Sequence, residues 1–164
     1  MTILEVCEWL ETTALGAIAP ATLYGFQVLV GIHILGLILS VGTLLWMDLR
    51  MIGISLVAGP LSEIQRSLSP WFFFGFSAMF VSGFILFAGF ATSAYENTYF
   101  RIKMIALVLA GINALIFHVM AKKMSADWDA AQPPPALVRF AGLGSIVLWS
   151  TVILSGRMMS YTMF

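Results

Sequence analysis

Charge is what this chain has least of: Asp, Glu, Lys and Arg make up 10% of its residues, where a soluble domain carries about a quarter. Eight basic residues balance eight acidic ones, so no basic patch is available for nucleic acid, whose binding depends on clustered Lys and Arg. A single cysteine, Cys7, excludes an intrachain disulfide and a Cys-based zinc site. The segment MTILEVCEWLETT lacks a basic n-region and carries Glu5, Glu8 and Glu11, which argues against a cleaved signal peptide. No phosphate loop, nucleophile elbow or buried carboxylate pair is present, which removes hydrolases and phosphotransferases. No run alternates in the manner of a barrel strand.

What fills the chain instead is apolar: 60% of residues, with a mean hydropathy of +0.98. A bilayer core needs about 20 apolar helical residues. Four runs qualify, at about 21–47, 71–93, 102–121 and 136–156. Pro20 opens the first, and Asp48 and Arg50 end it. Pro60 and Pro70 bracket a short surface helix before the second, and QPPP precedes the fourth. Near the start, Ile3, Leu4, Val6, Cys7, Leu10 and Ala14 share one helical face opposite Glu5, Glu8 and Thr12, predicting an amphipathic helix on the membrane surface over about 2–15. Cys7 is expected to pack there as a small apolar residue. The fold expected is all-α: one integral membrane domain over 1–164, an antiparallel four-helix transmembrane bundle with an N-terminal surface helix.

The loops joining spans one to two and three to four hold Arg50, Arg66, Lys122, Lys123 and Arg139, against Arg101, Lys103 and Arg157 on the other side. The positive-inside tendency then puts those two loops in the cytoplasm and both termini outside. Gly25, Gly31, Gly36, Gly42, Gly75, Ser82, Gly89, Gly142 and Gly144 stand where helices would meet; they permit close backbone approach, make room for a flat cofactor, or mediate homo-oligomers.

The only two histidines, His33 and His118, lie inside apolar runs, where ionisable groups are costly and mark sites by default. His33, Gly36, Ser40, Leu44 and Asp48 follow one helical face, as do Lys103, Leu107, Gly111, Ala114 and His118. Two imidazoles beside small residues suit haem or a metal between helices. At 1.5 Å per residue His33 lies roughly 16 Å from the outer end of its span and His118 roughly 25 Å from its own. One shared bis-histidine haem thus requires tilt, and two separate sites are the alternative. Met79, near the depth of His33, is a candidate thioether partner, and copper would accept the same His and Met donors. Arg101 and Lys103 on the outer side, and Arg50 and Arg139 on the inner side, could anchor cofactor carboxylates or simply snorkel to the interface. Asn113 is expected to hydrogen-bond a neighbouring helix.

The strings HILGLILSVGTLLWMDLRMIG, SPWFFFGFSAMFVSGFILFA, NTYFRIKMIALVLAGINALIFH, DWDAAQPPPALVRFAGLGSIVLW and GRMMSYT, with the EWLETT start, closely resemble a family of small bacterial four-span proteins of unassigned function. A span with His followed by small residues and a basic turn, and a later span opening with Lys and closing with His, looks more distantly like the haem-binding four-span bacterial protoporphyrinogen oxidase and like copper-resistance-D-type membrane proteins. That resemblance implies His33 as a haem ligand and Lys103 as an essential or propionate-facing residue. The chain departs from the oxidase in its long first loop, its QPPP linker and the lack of an Asn-Glu-x-Pro stretch near the fourth span. The expectation is a b-type haem protein, with one or two haems, that moves electrons within the bilayer and draws them from quinol. A copper or small-solute permease and a structural subunit are the competing classes.

Overall fold

The computed structural model describes residues 2–21, 24–54, 61–130 and 135–163, with the side chains of residue 61 and of 121–130 left aside. Among these residues there is no strand, and four helices are long and apolar enough to cross a membrane. They are α3 (Gly25–Met51), α4 (Leu61–Gly89), α6 (Thr98–Ala130, apolar over Thr98–Met120) and α7 (Ala136–Met163). Three short helices, α1 (Ile3–Thr12), α2 (Ala14–Ile18) and α5 (Ala91–Glu96), gather at one end. Large apolar side chains such as Leu35, Ile38, Phe73, Phe74, Phe140 and Leu154 face outward, as expected of helices whose solvent is lipid.

α3 packs closely along α4, and α6 along α7; the two hairpins meet chiefly through α3 and α7. The inward residues recur at alternating three- and four-residue spacing. On α7 they are Val138, Gly142, Ser145, Trp149, Val152 and Ser155, and on α6 they are Lys103, Ala106, Ala110, Asn113, Phe117 and Met120. Such a repeat keeps one seam facing its partner as the helices coil. Where backbones touch, glycine is required: a Cβ on Gly36 would lie 2.7 Å from the Met79 nitrogen, and one on Gly75 would lie 2.7 Å from the Ser40 nitrogen. These two glycines serve helix packing. Gly31, Gly42 and Gly111 have nothing within 4 Å of such a Cβ.

The end that carries both termini is tied together by polar contacts. Thr2 and Glu5 form a reciprocal capping box on α1. Glu11 accepts the Thr92 N–H at the start of α5 (2.8 Å), and Asn97 caps α6 while donating to Thr162 of α7 (2.7 Å). Cys7 is buried, whereas Ile3, Val6 and Trp9 stay exposed.

The boundaries differ from expectation in several places, among them the end of the second span, where α4 stops at Gly89 and α5 begins at Ala91. The surface helix is broken at Thr13, whose hydroxyl accepts the Gly16 N–H and so starts α2. The segment before the second span is no separate helix over its described part, because α4 runs unbroken through Pro70. Proline removes a single backbone bond, and neighbouring side chains and helices make that tolerable in a membrane helix. Pro60 lies outside the described residues. The third and fourth helices run past their apolar cores to Ala130 and Met163, since the polar ends Lys122 to Asp129 and Arg157 to Thr162 are good enough helix formers to continue a helix already nucleated.

Candidate functional site

All four spanning helices contribute to one polar layer roughly 10 Å inside the end that bears the termini, counting residues from the helix ends. α3 supplies His33. Its Nδ1 lies 2.8 Å from the carbonyl oxygen of Met79 and 3.3 Å from the hydroxyl of Ser82, both on α4. A carbonyl can only accept, so Nδ1 carries the proton, and in the neutral ring the lone pair belongs to Nε2. Ser82 is buried and donates onward to the Ala78 carbonyl (2.6 Å). The imidazole rests on Gly83, where a Cβ would stand 2.8 Å from Cε1.

α6 supplies Lys103, a half-buried ammonium close enough to His33 for their charges to interact. It too is received by a glycine: its Nζ lies 3.6 Å from where a Cβ would sit on Gly156 of α7. Beneath the layer, Met79, Ala106, Ala110, Trp149 and Val152 form an apolar floor.

The other residues singled out from sequence fall elsewhere. His118 is exposed on the outer side of α6, beside Phe117 and Met120, which pack against the Met47, Met51 and Val138 cluster at the opposite end. The structure therefore does not bring the two histidines together. Met79 meets His33 through its carbonyl, while its sulfur is engaged by the Ser40 hydroxyl at 4.0 Å. Arg101 is exposed, donating from Nε to the Tyr95 carbonyl (3.0 Å) with its guanidinium over the Tyr95 ring. Arg139 is exposed and Arg50 half-buried, both at the loop end and apart from the His33 layer. Asn113 donates to the Ala141 carbonyl (3.0 Å), the interhelical bond its depth suggested. Among the described residues no three His, Cys, Asp or Glu side chains come together as a metal cage.

One residue that matters here was not singled out from sequence, and two were read for other roles. Gly83 and Ser82 hold the imidazole, and their signal was small residues on α4 at the depth of His33. Asp48, read as a helix terminator, is buried at 3% exposure with Ser145 of α7 beside it. Its position on the face of His33 and Ser40 was the available sign.

Architecture and site together define a four-span membrane protein with an imidazole and an ammonium held in one intramembrane layer. Residues 6–162 match the model of the family of unknown function DUF6644, and the chain belongs to that family. No curated protein and no solved structure matches it.

Proposed function

We propose that this protein binds b-type haem through His33 and passes electrons within a bacterial inner membrane, with quinol as donor and the termini on the periplasmic side. The observation that carries this reading is the 2.8 Å contact of His33 Nδ1 with a backbone carbonyl. Ligating histidines are commonly fixed in this way, the second ring nitrogen tied to an acceptor so that the first is oriented and made more basic. Lys103 in the same layer supplies a cation for a propionate, and Gly83 and Gly156 leave the space that both side chains occupy.

Bound haem would supply the one-electron couple. The chain's own part is to hold the ring through Met79 and Ser82, to present Nε2 and to place a positive charge beside it, over an apolar floor. Burial and nearby charge are the levers by which such a site sets its potential. His118, exposed and at the other end, takes no part. Copper is served less well, because the Met79 sulfur is engaged by Ser40 while its carbonyl meets the imidazole.

The test is the absorption spectrum of protein purified from haem-supplied cells. A Soret band that shifts on dithionite reduction, disappears in His33→Ala and persists in His118→Ala is the expected result. A colourless wild-type protein overturns the reading.

A further inference from the structure

The loop end of the bundle holds a second ionisable side chain that the haem reading leaves unused. Asp48 lies inside a span, nearly fully buried, with Ser145 of α7 beside its carboxyl. α7 approaches closely here, since a Cβ on Gly142 would stand 3.0 Å from the Asp48 carbonyl oxygen. The surrounding cluster of Met47, Met51 and Val138, with Phe117 and Met120 of α6, is apolar. Among described side chains, the cations of this end are Arg66 of α4 and Arg139 of α7, both exposed, and Arg50 of α3, half-buried two residues on from Asp48; Glu63 is exposed on α4. A carboxyl in such surroundings is costly to keep for packing alone, and in membrane proteins it typically belongs to an ion or proton pathway.

Polar groups continue inward along α3. Ser40 is fully buried eight residues before Asp48, roughly 12 Å away along the axis, and Thr43 stands between them with its hydroxyl on the Leu39 and Ser40 carbonyls (both 2.9 Å). Ser40 borders Met79, whose carbonyl belongs to the terminal-end layer. Steps of this length need bridging water, which buried hydroxyls can order.

We propose that Asp48 with Ser145 is a proton-binding site open to the loop end, and that Thr43 and Ser40 carry the proton from it past Met79 to the His33 layer at the terminal end. The step is a simple exchange: an oxygen of the Asp48 carboxylate takes a proton from hydronium at the loop end, leaving water, and gives it to a water molecule on the Thr43 side, which becomes hydronium. No oxidant or reductant enters.

The experiment is proton flux into vesicles containing the full chain, driven by a valinomycin potassium potential and read by an entrapped pH dye. The wild type should exceed empty vesicles by at least tenfold. Asp48→Asn should fall to the empty-vesicle level, Ser145→Ala should lose several-fold, and Asp48→Glu should keep most of the flux. Circular dichroism and gel filtration establish that each variant is folded, and Ser145→Ala carries the test if Asp48→Asn is not. A wild type no leakier than empty vesicles, or folded variants that conduct like it, overturns the proposal. The outcome is separable from the haem reading. A colourless protein that conducts through Asp48 ends that reading alone, and a coloured one indifferent to Asp48 ends this one alone.

Discussion

His33 and His118 look alike in sequence, each an imidazole deep in an apolar run, yet the bundle treats them oppositely. His33 faces a neighbouring helix, with a carbonyl at one nitrogen and a glycine beneath the ring. His118 faces outward at the other end, where the inward positions belong to Phe117 and Met120. The loop end keeps a buried polar group as well, but it is a carboxyl on α3 rather than the histidine on α6. Depth in a membrane therefore does not by itself make an ionisable residue a site; the helix face decides whether it meets partners.

The sharpest way to break this contrast is to exchange the fates of the two rings. His33→Ala should remove all bound haem and His118→Ala none, read as the ratio of Soret to protein absorbance. Equal losses in the two variants would show that the faces are not as different as they look. Next in size is packing. Gly75→Val sets side-chain atoms against the Ser40 backbone and should cost about 3 kcal/mol in detergent thermal unfolding. Gly42→Ala, made where nothing lies within 4 Å, should stay within about 0.5 kcal/mol of the parent. A similar cost at both positions would argue against the α3 to α4 backbone contact. Smaller again is Gly83→Ala, whose new methyl would stand 2.8 Å from the edge of the His33 ring, so that the ring must move. About 1 kcal/mol is expected. The more telling readout is spectral, because moving the ring should broaden or displace the Soret band while haem is still bound.

The spanning helices were legible because length and composition suffice to specify them, whatever their neighbours. The layer around His33 was legible only on one side. The α3 stripe from His33 to Asp48 could be read from spacing, but which helix received the ring, and that Gly83 would do so, depends on register between helices. The α6 stripe shows why spacing alone misleads. Lys103, Leu107, Gly111, Ala114 and His118 follow the rows of a straight helix, whereas helices that coil around each other keep a seven-residue repeat in contact, here Lys103, Ala110 and Phe117. Over two such repeats the two patterns diverge, and His118 ends up one residue, about 100°, past the seam. Asp48 was misread for a related reason: a charge near the end of an apolar run marks a boundary in one dimension, and only the approach of α7 shows it to be interior.

The seam itself offers the smallest effect and the cleanest check. Asn113 lies on it between Ala110 and Phe117, and its amide donates to the Ala141 carbonyl across the α6 to α7 contact. Interhelical hydrogen bonds in membrane proteins are worth about 0.6 kcal/mol on average, because the separated helices find other partners for the same groups. Asn113→Ala should therefore lower stability by about that amount, without touching haem content or proton flux, since neither His33 nor Asp48 contacts it. The reverse substitution at Ala114, one residue on and exposed, offers a mirror image: Ala114→Asn should gain nothing, its amide having no facing helix to reach. If Ala114→Asn instead stabilises the protein as much as Asn113→Ala weakens it, the seam runs one residue further round α6 than described. His118 would then face inward after all.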